Sequence, residues 1–321
     1  MGFSLKFLKL LEQATIEAGI WSTLIQTLLT GVYTMIFVQT ITPILRTGQE
    51  KVYAAVLTLI FMAITANLAT SWKMLRVALI LNNDTRFSMA KTILVGNAAD
   101  RVVLNFTSRS AILLADIIMI WRCYTLWARN KRLLLIFSLL LLGEFVLLLK
   151  LTPANLSSTD IKGGAPAFNF ISSAITILAT VLIILRIVMF VNKSEGGLGF
   201  SGSYTLIIKI ILESGVLYTV SLMATSILYL IVILQDDMSS RAVKLAEGLL
   251  IWLQALVPIT GIATTLIAFH VATGRANDEA TLSQSKPTST LQFEGMGAQT
   301  QYSVTFIPGE QDNNDGTDGI S

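Results

Sequence analysis

Arg109, Asp116 and Glu144 are charged residues set inside long apolar runs, NFTSRSAILLADIIMIWRC and LLLIFSLLLLGEFVLLL. An isolated charge in hydrocarbon costs several kcal/mol, so each acid must be protonated or partnered. Arg109 and Asp116 are seven residues apart, and at about 100° per residue they share one helix face. Arg109 is therefore the expected partner of Asp116. The three define a possible intramembrane polar site, read either as charges neutralised by folding or as contacts for a ligand, ion or proton. Toward the other end of the same run lies Arg122, with Arg186 and Glu213 at comparable depth in other helices. Arg122 and Glu213 are expected to pair as a lock on the inner side. The pair either serves as one state of a switch or merely balances charge near the headgroups.

Other chemistry is excluded by counts. His270 is the single histidine and Cys123 the single cysteine. Zinc and iron sites draw on several such ligands, so no metal, cofactor or catalytic site is expected. A lone cysteine forms no internal disulfide. A retinal Schiff base would need a lysine midway along the last span, and Lys244 precedes that apolar run. The Asp/Glu-Arg-Tyr and Asn-Pro-x-x-Tyr signatures of the commonest G-protein-coupled receptors are missing from the sequence.

The elements that carry these residues follow from composition. Hydrophobic residues make up 53% of the chain, charged residues 13%, and the mean hydropathy is +0.68. A soluble domain is about a quarter charged, whereas about 20 apolar residues cross about 30 Å of hydrocarbon. Gly19–Ile41, Tyr53–Trp72, Ala165–Leu185, Ser214–Gln235 and Gly248–Thr273 are free of Asp, Glu, Lys and Arg. Leu133–Leu149 is broken only by Glu144. Val102–Trp127 holds Arg109, Asp116 and Arg122, and as a helix of about 39 Å it spans with tilt, shielded inside a bundle. The expected fold is all-α: a polytopic seven-transmembrane-helix bundle with helices at about 19–41, 53–79, 102–127, 133–150, 165–191, 205–235 and 245–273.

The ends and loops set the topology. Residues 1–18 are expected to form an N-terminal segment with no removed signal peptide. From 275 to 321 the chain carries a net charge of −5, leaving +8 on the rest. It is rich in Ser, Thr, Gln and Gly, and is expected to be disordered. It either docks a cytoplasmic partner or is a solvated end. The loop NNDTRFSMAKTILVGNAADR offers apolar positions for a short interfacial helix, either a lid over a ligand cavity or a connector on the headgroups. Trp121, Tyr124 and Trp127 suit an interfacial belt, and the RNKR cluster after them places that loop inside. Sequons at Asn83, Asn105 and Asn155 then fall outside and the one at Asn192 inside; the expected topology is N-terminus out, C-terminus cytoplasmic, in the plasma membrane.

The stretches IIMIWRCYTLWAR, IILESGVLYTVSLMATSILYL and LVPITGIATTLIAFHVATGR resemble a family of seven-transmembrane proteins from mushroom-forming, basidiomycete fungi whose activity is unestablished. The matching positions are Asp116, Trp121, Arg122, Cys123 and Tyr124, then Glu213, Ser214, Gly215, Leu217 and Tyr218. In the last helix they are Pro258, Gly261, Ile262, Leu266, Ile267, Val271 and Gly274. Ala268–Phe269–His270 departs from the family's Val-Arg ending. The resemblance covers most of 15–275 and implies seven helices with the N-terminus outside, but no ligand.

Two function classes follow. One is a receptor-like sensor for an unknown ligand, coupled to a partner through the tail. The other is a transporter or channel using Asp116 and Glu144, and a purely structural membrane protein stands behind both. No nucleic-acid partner is expected, and the lipid bilayer is the one sure neighbour. Pro258–Gly261 is the one marked helix break and no internal repeat is seen, which favours the sensor. An outward-facing blind pocket suits a sensor; a continuous polar path past Asp116 suits transport.

Overall fold

Apolar side chains cover both the inside and the outside of this molecule. On one helix, Lys131–Leu151, the residues Phe137, Glu144, Leu148 and Leu151 are buried, while Leu135, Leu139, Leu142 and Leu149 are exposed. In water the second face would be polar. Leucine on both faces requires a hydrocarbon surround.

The computed structural model describes residues 5–47, 51–82, 84–94, 96–127, 131–153, 158–194, 201–234 and 240–284. They form α1 (Leu5–Thr47), α2 (Lys51–Arg76), α3 (Arg86–Leu94), α4 (Ala98–Leu126), α5 (Lys131–Leu151), α6 (Ser158–Ser194), α7 (Ser201–Leu234) and α8 (Ser240–Gln284). Seven of these, all but α3, are long and apolar enough to cross a membrane. No strand occurs among the described residues. The chain is an all-α, multi-pass integral membrane protein. We call the side where α1 and α4 begin the N-terminal face, and the opposite side the C-terminal face.

Several boundaries differ from the sequence expectation. The segment 1–18 is not separate from the first span, because α1 is already helical at Leu5. Gln13 donates to Glu17 one turn on, at 2.8 Å, the kind of pair that carries a helix through polar sequence. The expected break at Pro258–Gly261 is absent, since α8 runs through Pro258 without interruption. Neighbouring helices in a bundle re-satisfy the backbone groups that proline frees. The helix also continues past 275 to Gln284, while 285–321 lie outside the described residues. By its internal contacts the chain divides into Met1–Thr273 and Gly274–Ser321.

Packing makes α4 the central rod. Its buried residues include Thr107, Ala111, Ile112, Ala115, Asp116, Met119, Ile120 and Cys123, and it contacts α2, α5 and α6. On α2 the buried residues Ala54, Leu57, Ile60, Ile64, Asn67, Ser71 and Leu75 follow one stripe. Glycines bring helices close at several points, two of them on α7 and α8. A Cβ on Gly261 of α8 would lie 2.5 Å from Ile64 Cδ1 and 2.8 Å from Tyr33 Cζ, and one on Gly215 of α7 would lie 3.0 Å from Thr180 Oγ1.

The short helix α3 packs against α1, where Ile93 meets Gly19, and against the end of α2, whose last turn widens to a π-helical turn over Val77–Leu81. Gly96 then turns the chain into α4 at φ +51°, a backbone region open to glycine.

Candidate functional site

Near the N-terminal face a cavity of about 310 Å³ opens among α2, α4, α6, α7 and α8, with Ile93 and Leu94 of α3 at its rim. The expected loop helix therefore exists and borders a cavity. One face of α4 supplies Arg101, Asn105, Ser108, Arg109 and Ile112 to its wall, at spacings of four, three, one and three. Asn67, Asn169, Tyr229 and Gln254 add neutral polar groups from four other helices. The volume falls at the lower end of ligand-sized sites. Among the described residues no carboxylate lines it. The nearby acid Asp100 is engaged by Lys73 at 2.7 Å, so it does not serve the arginines.

Its floor is apolar. Ile112, Phe168 and Leu256 line the cavity and also belong to one buried cluster with Ala115, Leu148, Tyr218 and Leu222. Asp116 and Glu144 are both fully buried and neither lines the cavity. On the α2 side Asn67 continues into a buried network: it accepts from Gln26 at 2.8 Å and donates to Thr107 at 2.9 Å.

Beneath the floor, Asp116 lies against α6. It accepts from Ser172 Oγ at 2.5 Å and from Thr176 Oγ1 at 3.2 Å, two hydroxyls one helical turn apart. Glu144 of α5 lies close enough to interact with it electrostatically. Among the described residues no donor serves either Glu144 oxygen. Two ionised carboxylates offer no hydrogen to each other and repel at close range. Ser172 Oγ is 3.4 Å from the Tyr218 hydroxyl on α7, which has Thr260 of α8 in its neighbourhood. Polar groups from five helices thus meet in one crosswise chain at mid-depth.

This corrects the expected Arg109–Asp116 pair. The structure brings Asp116 to Glu144 but places Arg109 in the cavity, where its Nη1 donates to the Asn105 carbonyl at 3.3 Å. The reason is directional. Side chains on a helix lean toward its N-terminus, so Arg109 points away from Asp116 although the two share a face.

At the C-terminal face, Arg122 donates through Nη2 to the Tyr53 hydroxyl of α2 and lies over that ring, 5.2 Å from its centre. Arg186 donates through Nε to the Leu126 carbonyl at 3.1 Å and lies 5.7 Å from the Trp127 ring centre. It thereby caps the end of α4 from α6, where a cation suits the helix dipole. Glu213, the proposed partner of Arg122, has its side chain outside the described residues, as do Ser214 and Gly274; Asn83 and Asn155 lie outside them altogether. Of the family-like positions, Cys123 is buried among Met119, Phe137, Ile175 and Ala179, and Trp121 is exposed with Tyr124 tilted against it.

Sequence reasoning missed Arg101, Asn67, Ser172, Thr176 and Thr260. Counting charges passes over neutral hydroxyls and amides inside charge-free runs. The available signal was Ser172–Thr176 at one-turn spacing, opposite an acid that needed donors.

No protein-family model, curated protein or solved structure matches the chain.

Proposed function

We propose that this protein is a receptor-like sensor of the plasma membrane, without catalytic activity, whose ligand enters from the N-terminal face. The reading puts that face outside and the C-terminus in the cytoplasm, where the tail meets a partner. It also groups the chain with the fungal seven-helix proteins that its motifs resemble. The observation that carries it is the blind cavity: Ile112, Phe168 and Leu256 close its floor above Asp116 and Glu144.

A single helix joins the parts. α4 lines the cavity with Arg101 and Arg109, holds Asp116 in the crosswise chain, and reaches α2 through Arg122. A shift of this rod on ligand binding would be felt at the C-terminal face, where Arg186 grips its end.

The rival, transport along Asp116 and Glu144, predicts water and small solutes beyond the floor. The native cysteine tests this directly, because Cys123 lies about two turns past Asp116 on the same face and is fully buried. In vesicles, a membrane-impermeant maleimide should leave Cys123 unlabelled from either side. It should label Ser108→Cys, in a Cys123→Ala background, from the N-terminal side alone. Labelling of native Cys123 favours transport, and an unlabelled Ser108→Cys removes the open cavity and the sensor with it.

A further inference from the structure

The cavity wall holds two guanidiniums and, among the described residues, no counter-charge. Among the described residues Arg109 makes a single hydrogen bond, to the Asn105 carbonyl. The Nε of Arg101 is buried and bonds nothing among the described residues. A carboxylate stranded in this way takes up a proton, but a guanidinium keeps its charge at any physiological pH. Two such cations on one face of α4, in a partly buried wall, repel each other and forfeit hydration until an anion joins them. The remaining lining supplies the rest of a ligand's contacts. Asn105, Ser108, Asn169 and Gln254 can donate to anionic oxygens, while Phe168, Leu253 and Leu256 present apolar surface.

We propose that the cavity binds a compact anionic amphiphile, with its carboxylate, sulfate or phosphate between Arg101 and Arg109 and its apolar body against Phe168 and Leu256. This deepens the sensor reading and rests on it. Two sources share that chemistry: a free organic anion arriving from solution, and the headgroup of an anionic lipid entering from the membrane past α3. The guanidinium fork engages two oxygens at once, which an ammonium cannot do. Arginine should therefore outperform lysine at either position.

The test uses the full chain in nanodiscs of neutral phosphatidylcholine, with thermal unfolding as the readout. Octanoate, octanol and octylamine serve as probes of one chain length and three charges. Octanoate should raise Tm in a saturable way, and octylamine should not. Arg109→Gln and Arg101→Gln should each weaken the octanoate response about tenfold, the loss of one charge-assisted contact, with Arg109→Lys in between. Arg109→Glu should reverse the order, favouring octylamine over octanoate. This reversal keeps the test decisive even where a variant lowers Tm overall. In discs containing phosphatidylserine, a higher starting Tm with no added gain from octanoate identifies the lipid as source, whereas an undiminished octanoate response identifies the soluble anion. Equal responses to octanol and octanoate, insensitive to both arginines, overturn the anion while leaving the sensor intact. The absence of any response to octanoate or phosphatidylserine overturns it too. Labelling of Cys123, by contrast, removes the sensor reading itself.

Discussion

Asp116 of the acid pair and Arg109 of the cavity lie on one helix, seven residues apart, and face the same problem with opposite means. Asp116 is fully buried and lacks a cation among the described residues, yet it meets two hydroxyls that leave it satisfied, with a second carboxyl close by. Arg109 is only partly buried and lacks an anion, and its wall opens to a cavity. The asymmetry follows from the groups themselves. A carboxyl can shed its charge by holding a proton, so it can be sealed in a dry core. A guanidinium cannot, so it stays where water or a ligand reaches it. The sealed region therefore belongs to the fold and the open one to recognition.

The largest effect should come from breaking the sealed side. Asp116→Ala strands the Ser172 and Thr176 hydroxyls and removes the partner of Glu144, at a cost of about 3 kcal/mol. Asp116→Asn keeps an acceptor and should lose less than about 1 kcal/mol. Denaturant unfolding in nanodiscs measures both. Equal losses would mean that Asp116 works through its charge, and the contrast with Arg109 would vanish. Next comes the packing beneath both regions. α8 carries Thr260 of the polar chain and Leu256 of the cavity floor, and it is seated by Gly261. Gly261→Ala drives a methyl into Tyr33 and Ile64 and should cost about 2 kcal/mol. Gly143→Ala, with open space around it, should cost nothing in the same assay.

A finer cut separates the two hydroxyls on Asp116. Ser172 is the closer donor at 2.5 Å and also neighbours Tyr218, whereas Thr176 at 3.2 Å has an alternative acceptor in the Ser172 carbonyl at 3.0 Å. Ser172→Ala should therefore lose about 1.5 kcal/mol and Thr176→Val about 0.5 kcal/mol. The reverse order would place the weight of the acid pair on Thr176, lower on α6.

How much of this was legible beforehand varied with the kind of signal. The seven spans could be read because a membrane helix declares itself by length and apolar content, and Val102–Trp127 could be placed inside the bundle because its charges forbid lipid contact. That Asp116 and Glu144 both lie deep was legible for the same reason. Their proximity was not, since two acids are not expected to seek each other until hydroxyls are supplied. The Arg109 pairing failed because periodicity gives a face but not the lean of a side chain along the axis. The cavity lay beyond reach because it joins faces of five spanning helices whose mutual rotation no local pattern encodes.

The smallest effect is the most telling, because its sign divides the two regions. In neutral-lipid nanodiscs without added anion, Arg109 is a cation with no counter-charge among the described residues, in a partly buried wall. Removing an uncompensated charge of this kind relieves a desolvation cost instead of breaking a bond worth keeping. Arg109→Gln should accordingly stabilise the empty protein by about 0.5 kcal/mol. Arg122 is the control on the same helix: it donates to the Tyr53 hydroxyl and lies over its ring, and Arg122→Gln should lose about 1 kcal/mol. Denaturant midpoints measured in parallel give both signs. A loss at both positions would make Arg109 a structural cation like Arg122, and the cavity would then be a packing gap, no longer a place held open for a ligand.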